Sequence, residues 1–421
     1  MSSAVPTERL QSLDQFRGYT VAGMFLVNFL GGYEMCPQIW RHTHDYCSYA
    51  DTIMPHFLFA AGFALRLSFL KHQQHGGGRE AWLRMLRRAI GLSLVAIAWY
   101  SFDGWEGIWR SIQEQGWQTT LANCAKRNWM QTLLHIAITS VWIMPVLWAP
   151  ISIRVAYAAA SAAAHIALSY WFNFLWVNGV PGGVNGIDGG PLGFLTWSIV
   201  SIAGTWACDV CLAAKRAAAP GQPTDLGPAM LKMMIAGWLI AGLGWLFSCG
   251  TTIYNVQPDP NLSSEQSEAL RNVKFAENPV IPSKEQLAAW KYQPAEPPFY
   301  PPPPISERKW NYWMMSQRAG TLSYLTFSAG FSLLVFTVFV WLADVKKIRV
   351  GVFRTLGVNA LAGYMLADLA SPIARKLVGA FGAPLSKQSP PLEVWTAFVL
   401  HFLIVYGVLR LMEWRKVYFR M

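Results

Sequence analysis

His42, His44 and Asp51 stand between an apolar stretch that ends near Leu30 and another that begins at Ala50. Imidazole has the unperturbed pKa closest to neutrality, so it can take a proton from an attacking amine or hydroxyl, or carry an acyl group itself. Asp51 opens the second apolar stretch, where a carboxylate suits a helix N-terminus and can also orient an imidazole and select its tautomer. Asn28 lies before the loop, about 18 Å along a helix from Phe16 at the standard rise. Its amide serves either as an interhelical hydrogen bond or as a donor aimed at a reacting carbonyl oxygen. Asp14 and Arg17, three residues apart, share a helical face on which they can pair. A loop histidine can also be merely solvated, and a metal site made of His42, His44 and Asp51 lacks an HExxH or similar ligand frame, so no metal is expected.

These residues need elements that hold them. The chain has 421 residues, 53% of them hydrophobic and 14% charged, a balance richer in apolar side chains than a soluble protein of this size. Stretches long enough to cross ~30 Å of hydrocarbon begin near Phe16, Ala50, Arg88, Met130, Val155, Pro191, Pro228, Ala319, Val352 and Pro391. The expected fold is all-α, a polytopic membrane bundle of about ten transmembrane helices. No apolar core followed by a small-residue cleavage site opens the chain, so no removable signal peptide is expected.

The net charge of +11 reports topology rather than a nucleic-acid partner, which is not expected. With both termini inside, the inner segments hold roughly twenty Lys and Arg and the short outer loops about seven, and the positive-inside rule discounts the roughly seven in one long outer loop. N-in and C-in is therefore the expected arrangement, with the histidine loop outside. It makes the runs REAWLRMLRR (79–88) and DVKKIR (344–349) inner loops, which act as topology determinants beside anionic lipid or hold a phosphate-bearing donor at the inner mouth.

Residues 1–250 form an N-terminal group of helices, 251–317 an external loop and 318–421 a C-terminal group. The external loop carries AEPPFYPPPP (295–304), for which polyproline II is the expected local form, as a spacer, a lid or a partner-binding arm. The glycine-rich loop VNGVPGGVNGIDGGP (177–191) has neither a preceding strand nor a P-loop lysine. Cys36, Cys47 and Cys124 fall in outer loops where a bridge could form, while CDVC (208–211) lacks a second ligand pair. His135, His165 and His401 lie inside spans as packed interhelical donors. Asn359 and Asp368, nine residues apart on the ninth span, share one side of a helix and could line the bundle interior. No fixed repeat or heptad run is found.

RLQSLDQFRG (9–18), MFLVN (24–28), a histidine loop and ADTIMPHFLF (50–59) together resemble the heparan-alpha-glucosaminide N-acetyltransferase family of transmembrane acyltransferases and its bacterial relatives. Weaker echoes are LLHIA (133–137), IDGGPLGFL (187–195) and FRTLGVNALAGY (353–364). The resemblance implies transfer of an acetyl group from cytosolic acetyl-CoA to an amino sugar or related glycan on the opposite face, with an essential histidine in the loop after the first span. Here that loop reads HTHDYCSYAD (42–51); it lacks the family's Trp-Asn-Gly stretch, carries a second histidine, and aligns ungapped at Arg41. His42 is the expected catalytic histidine and His44 its rival, with Asn28 and Asp51 beside it. Asp14, Arg17, His135, Asp188 and Asn359, which lie in the matching blocks, are expected to bind donor or acceptor.

The expected protein is thus a multi-pass membrane enzyme of a bacterial cytoplasmic membrane or its equivalent, acting on acetyl-CoA and a glycan acceptor among membrane lipid; a homodimer is compatible with it. A small-solute transporter or channel is the alternative, since intramembrane Asn, Asp and His also line solute paths.

Overall fold

The structure, a computed structural model, describes residues 10–102, 104–179, 184–218, 224–255, 274–304, 306–380 and 383–419. Among these helix is the only regular secondary structure, with no strand and two isolated bridges, Asn255 to Arg308 and Phe275 to Trp310. Six helical stretches are long and apolar enough to cross a membrane: Ala50–Gln73, Ile151–Asn178, Gly190–Ala217, Gly227–Tyr254, Leu322–Val345 and Pro391–Trp414. A seventh, Trp117–Asn128 with Thr132–Val146, is bent by 87° at its break. The shortest of the six has 24 residues, about 36 Å of helix against ~30 Å of hydrocarbon. The chain is a helical, multi-pass membrane protein.

The remaining expected starts fall on other kinds of element. Phe16 lies in α1 (Gln11–Leu30), 20 residues long. Arg88 lies in the second half of α2 (Ile53–Phe102), so the basic run 79–88 is helical rather than loop, as its Ala, Leu, Met, Arg and Glu composition favours. Ala61 and Arg88 line one cavity, although a straight helix would hold them about 40 Å apart. The element therefore reverses direction between them, and three glycines, Gly76 to Gly78, fall in that interval of the sequence.

Val352 opens only a short helix, which ends at Asn359. Helices α3 (Trp105–Gln115), α4 (Trp117–Asn123), α5 (Thr132–Ile143), α6 (Ile151–Leu168), α7 (Phe174–Asn178), α8 (Phe194–Ala217) and α9 (Gly227–Ser248) follow α2 in order. Beyond the segment 251–317, which holds α10 (Lys284–Ala289), come α11 (Leu322–Phe339), α12 (Gly351–Val358), α13 (Ala360–Gly379) and α14 (Pro391–Trp414). Asn359 adopts φ −120°, ψ 44° between α12 and α13, so it does not share one continuous helix with Asp368.

Lipid tails are as apolar as Leu, so bundles of this kind are held by close packing rather than by exclusion of water. Phe16 of α1 shows the pattern: it is fully buried and its ring meets His56, Phe59, Phe336 and Phe339 at centroid distances of 5.3 to 5.9 Å. One turn along, α1 meets α12 so closely that a Cβ on Gly18 would lie 1.7 Å from the Phe353 carbonyl oxygen, and one on Gly357 would lie 2.0 Å from that of Asp14. Only glycine permits that approach.

The described part of the segment 251–317 is packed against the helices. A capping box of Ser283 and Gln286 starts α10. Trp245 of α9 donates to the Ala295 carbonyl at 3.1 Å, and the Phe299 N–H donates to the Cys47 carbonyl at 2.9 Å. The buried Arg308 is ion-paired with Asp45 of the histidine loop. Residues 256–273 lie outside the described part of this segment.

Candidate functional site

The loop between α1 and α2 is shaped by Arg41, whose guanidinium donates to the carbonyls of Tyr33, Glu34 and Cys36. Arg41 thus builds the loop from which His42 projects. Asp51 is fully buried. Its Oδ2 accepts the Ser48 N–H at 3.0 Å and lies 2.8 Å from Ser48 Oγ and 3.1 Å from Thr43 Oγ1, so the carboxylate has one orientation. Its Oδ1 is 2.9 Å from His42 Nδ1, and a carboxylate there keeps the proton on Nδ1. The other ring nitrogen, Nε2, faces Asn28 Oδ1 at 3.4 Å.

His42 has 41% of its side chain accessible, so one side of the ring can be reached from outside the protein. Asn28 is exposed on the same side while Val27, Phe29 and Leu30 are buried. Burial opposes the imidazolium, but the hydrogen bond and charge of Asp51, with the charge of Asp188 and a bond from Gln317, outweigh it and raise the His42 pKa above its usual value. His44 is the reverse case. Burial and the nearby charge of Arg318 lower it to about 4, it makes no hydrogen bond among the described residues, and no carboxylate orients it. The structure joins Asn28, His42 and Asp51 and leaves His44 outside that chain of contacts.

A third segment completes the site. Asp188 is buried, and its backbone takes φ 55° ahead of Gly189 at 83° and Gly190 at 60°. This left-handed run is what the glycines of the 177–191 loop provide. The turn is fixed by the Trp197 indole donating to the Asp188 carbonyl and by the Gly189 N–H donating to the Arg318 carbonyl. Gln317 donates to Asp188 Oδ1 at 3.1 Å. Burial pushes the Asp188 carboxyl up to about 7, against the lowering effect of His42, the Gln317 bond and Arg127. His42 thus sits between two carboxyl groups, one hydrogen-bonded to it and one whose charge reaches it.

The other expected residues separate. Asp14 and Arg17 sit near the opposite end of α1, about 17 Å from Asn28 counted from Arg17. Arg17 and Arg88 feel one another's charge and line a narrow cavity of about 110 Å³ with Tyr364 and Phe419. Tyr364 and Tyr100 share a 3.0 Å hydroxyl contact. His135 is buried against Trp197, with neither ring nitrogen hydrogen-bonded, so it stands behind the Asp188 turn.

Asn359 was expected to bind donor or acceptor. Its amide is instead taken up by the C-terminal segment: Nδ2 donates to the Val417 carbonyl and Oδ1 accepts the Phe419 N–H, both at 3.2 Å. It acts on the cavity only through Phe419. Asp368 accepts the Trp99 indole N–H at 3.1 Å.

Gln317, Asp45 and Arg308 escape the sequence reading because no local pattern marks them; Gln317 meets a carboxylate 129 residues away and Arg308 one 263 residues away. All six cysteines are free, with no bridge among Cys36, Cys47 and Cys124, and the described residues contain no cluster of metal ligands. The chain matches no family model and no curated protein.

Proposed function

We propose that this protein is a transmembrane acyltransferase that moves an acetyl or other short acyl group from acyl-CoA to an amino sugar or related glycan on the far side of the membrane. The observation that carries the reading is the chain Asp51, His42, Asn28: a buried carboxylate on Nδ1, and a second ring nitrogen turned toward an accessible amide. Such an imidazole is oriented to act as a base.

In the resting site the imidazolium donates Nδ1–H to Asp51 and Nε2–H to Asn28. Loss of the Nε2 proton leaves a lone pair for the acceptor. The acceptor amine attacks the thioester carbon, the C–N bond forms as the C–S bond breaks, and the amine proton passes through Nε2 to the departing thiolate. The Asn28 Nδ2–H donates to the carbonyl oxygen as its charge grows. A transient acyl-imidazole would use the same groups.

The donor enters at the Arg17 and Arg88 end, where two guanidiniums suit the phosphates of coenzyme A. The cavity between them, about 110 Å³, is well below the 300 Å³ and upward usual for a whole small ligand. It admits only the thin end of a pantetheine arm and leaves the nucleotide outside. Ten crossings follow when the six apolar stretches and the bent element are joined by α1, the second half of α2, and α13. With N-in and C-in, the basic end faces the cytoplasm and His42 the outside.

Purified protein incubated with radiolabelled acetyl-CoA and amino sugars tests the proposal. Label transfer that persists in His44→Ala and vanishes in His42→Ala is expected. Absence of both donor binding and transfer in the unaltered protein would favour a solute pathway instead.

A further inference from the structure

A second hollow lies away from His42, between α6 and α9. The spans containing these helices are only 28% and 22% enclosed, and α8 and α11 form a floor between them. Small residues on α6, among them Ala159, Ala162 and Ala163, leave an almost wholly apolar groove of about 500 Å³. Ile151 and Trp206 line both this groove and a second cavity, of about 810 Å³, at its end.

There the wall becomes polar. Arg66 and Arg154 both pair with Asp209, which leaves this triad one positive charge in excess, and Lys232 adds another. The remaining acid, Asp225, accepts the Gly227 N–H at 2.9 Å and keeps its charge, so the cavity wall as a whole has one positive charge in excess. Arg154 is 1% exposed and lines the cavity, and its Nε has no hydrogen-bond partner. Helices α6 and α9 both start at this cavity; α6 has no side-chain cap, while the first N–H of α9 is taken by Asp225 and Pro228 has none, so free N–H groups come from α6 and two positive dipole ends face the same space.

The shape excludes most occupants. From Ile151 to Ile166 the groove runs about 22 Å along α6. A partner helix about 10 Å across would need roughly 1,700 Å³ over that length, several times the groove's volume. A water-soluble anion gains nothing from an apolar wall. A hydrocarbon chain joined to an anionic headgroup matches both halves.

We propose that this composite cavity binds one anionic glycerophospholipid, its phosphate beside Arg154 and Lys232 and one acyl chain along the small-residue face of α6. The site is independent of His42 and would exist whatever reaction the protein performs.

Native mass spectrometry of the full chain, reconstituted with equal amounts of phosphatidylglycerol and phosphatidylcholine and then moved to mild detergent, tests this. One retained phosphatidylglycerol per chain is expected. The exposed Lys232→Ala should cut its preference over phosphatidylcholine roughly fivefold, the effect of one basic residue near a membrane. The exposed Ala159→Phe should displace the lipid while thermal unfolding shows the protein still folded. Equal retention of the two headgroups, or a preference untouched by both variants, would overturn the proposal.

Discussion

The chemistry proposed at His42 depends on one proton. Asp51 and Asp188 raise its pKa above the ordinary value near 6.5, so the base form appears only as the pH climbs past that value. The rate of acyl transfer should rise with pH along a limb whose midpoint lies above 6.5. Asp51→Asn removes the charge that favours the imidazolium and the partner that selects its tautomer. It should move the limb to lower pH and reduce the maximal rate by about 10²- to 10⁴-fold. An unmoved limb would mean that the titrating group is not His42. The same coupling stabilises the fold: it is fully present below about 6.5 and lost as pH rises through the raised value, so thermal unfolding of His42→Ala should vary less across that window. Asn28, His42 and Asp51 could be picked out in the sequence because they lie close together in it, at the end of α1, in the loop after it and at the turn that opens α2. The second carboxyl group was read only as part of a weak motif, since its relation to His42 is created by a turn more than a hundred residues further on.

Among the elements, the crossing of α1 with α12 is the tightest contact near the site, and it joins two blocks that the sequence marked separately, RLQSLDQFRG and FRTLGVNALAGY. Their common need is a backbone without a Cβ. Gly18→Ala would place a methyl carbon 1.7 Å from a carbonyl oxygen, which rigid helices relieve only by separating. Overpacking of this kind costs about 1–3 kcal/mol or more. A clear drop in thermal midpoint or folded yield is expected, with no change for Gly32→Ala, whose Cβ would meet nothing within 4 Å. Helix existence was legible from apolar length; helix ends were not. Composition carries α2 through a basic run that charge alone marks as loop, and the break at Asn359 is made by hydrogen bonds to a tail about 60 residues away, which no local propensity records.

At the scale of the whole molecule, the proposal gives the protein two ends with different tasks. Arg88→Ala removes a charged contact to the donor phosphates, worth about 1.5–3 kcal/mol, and should raise KM for acetyl-CoA about tenfold or more with kcat little changed. A fall in kcat at constant KM would place Arg88 in the transfer step instead. Orientation can be read directly, because the six native cysteines are all buried and supply little background. A membrane-impermeant maleimide should label Gln115→Cys in intact cells and Arg216→Cys only after the membrane is opened. The opposite pattern would invert the topology and move His42 to the cytoplasmic side.

The ion pair of Asp45 with Arg308 also bears on how the protein is made. Its two partners leave the ribosome 263 residues apart, on opposite sides of most of the bundle's helices in chain order. The histidine loop is therefore synthesised early and left waiting for its counterpart. A nascent chain halted before Arg308 would hold the histidine loop without this ion pair, so the loop's final anchoring waits on the order of translation.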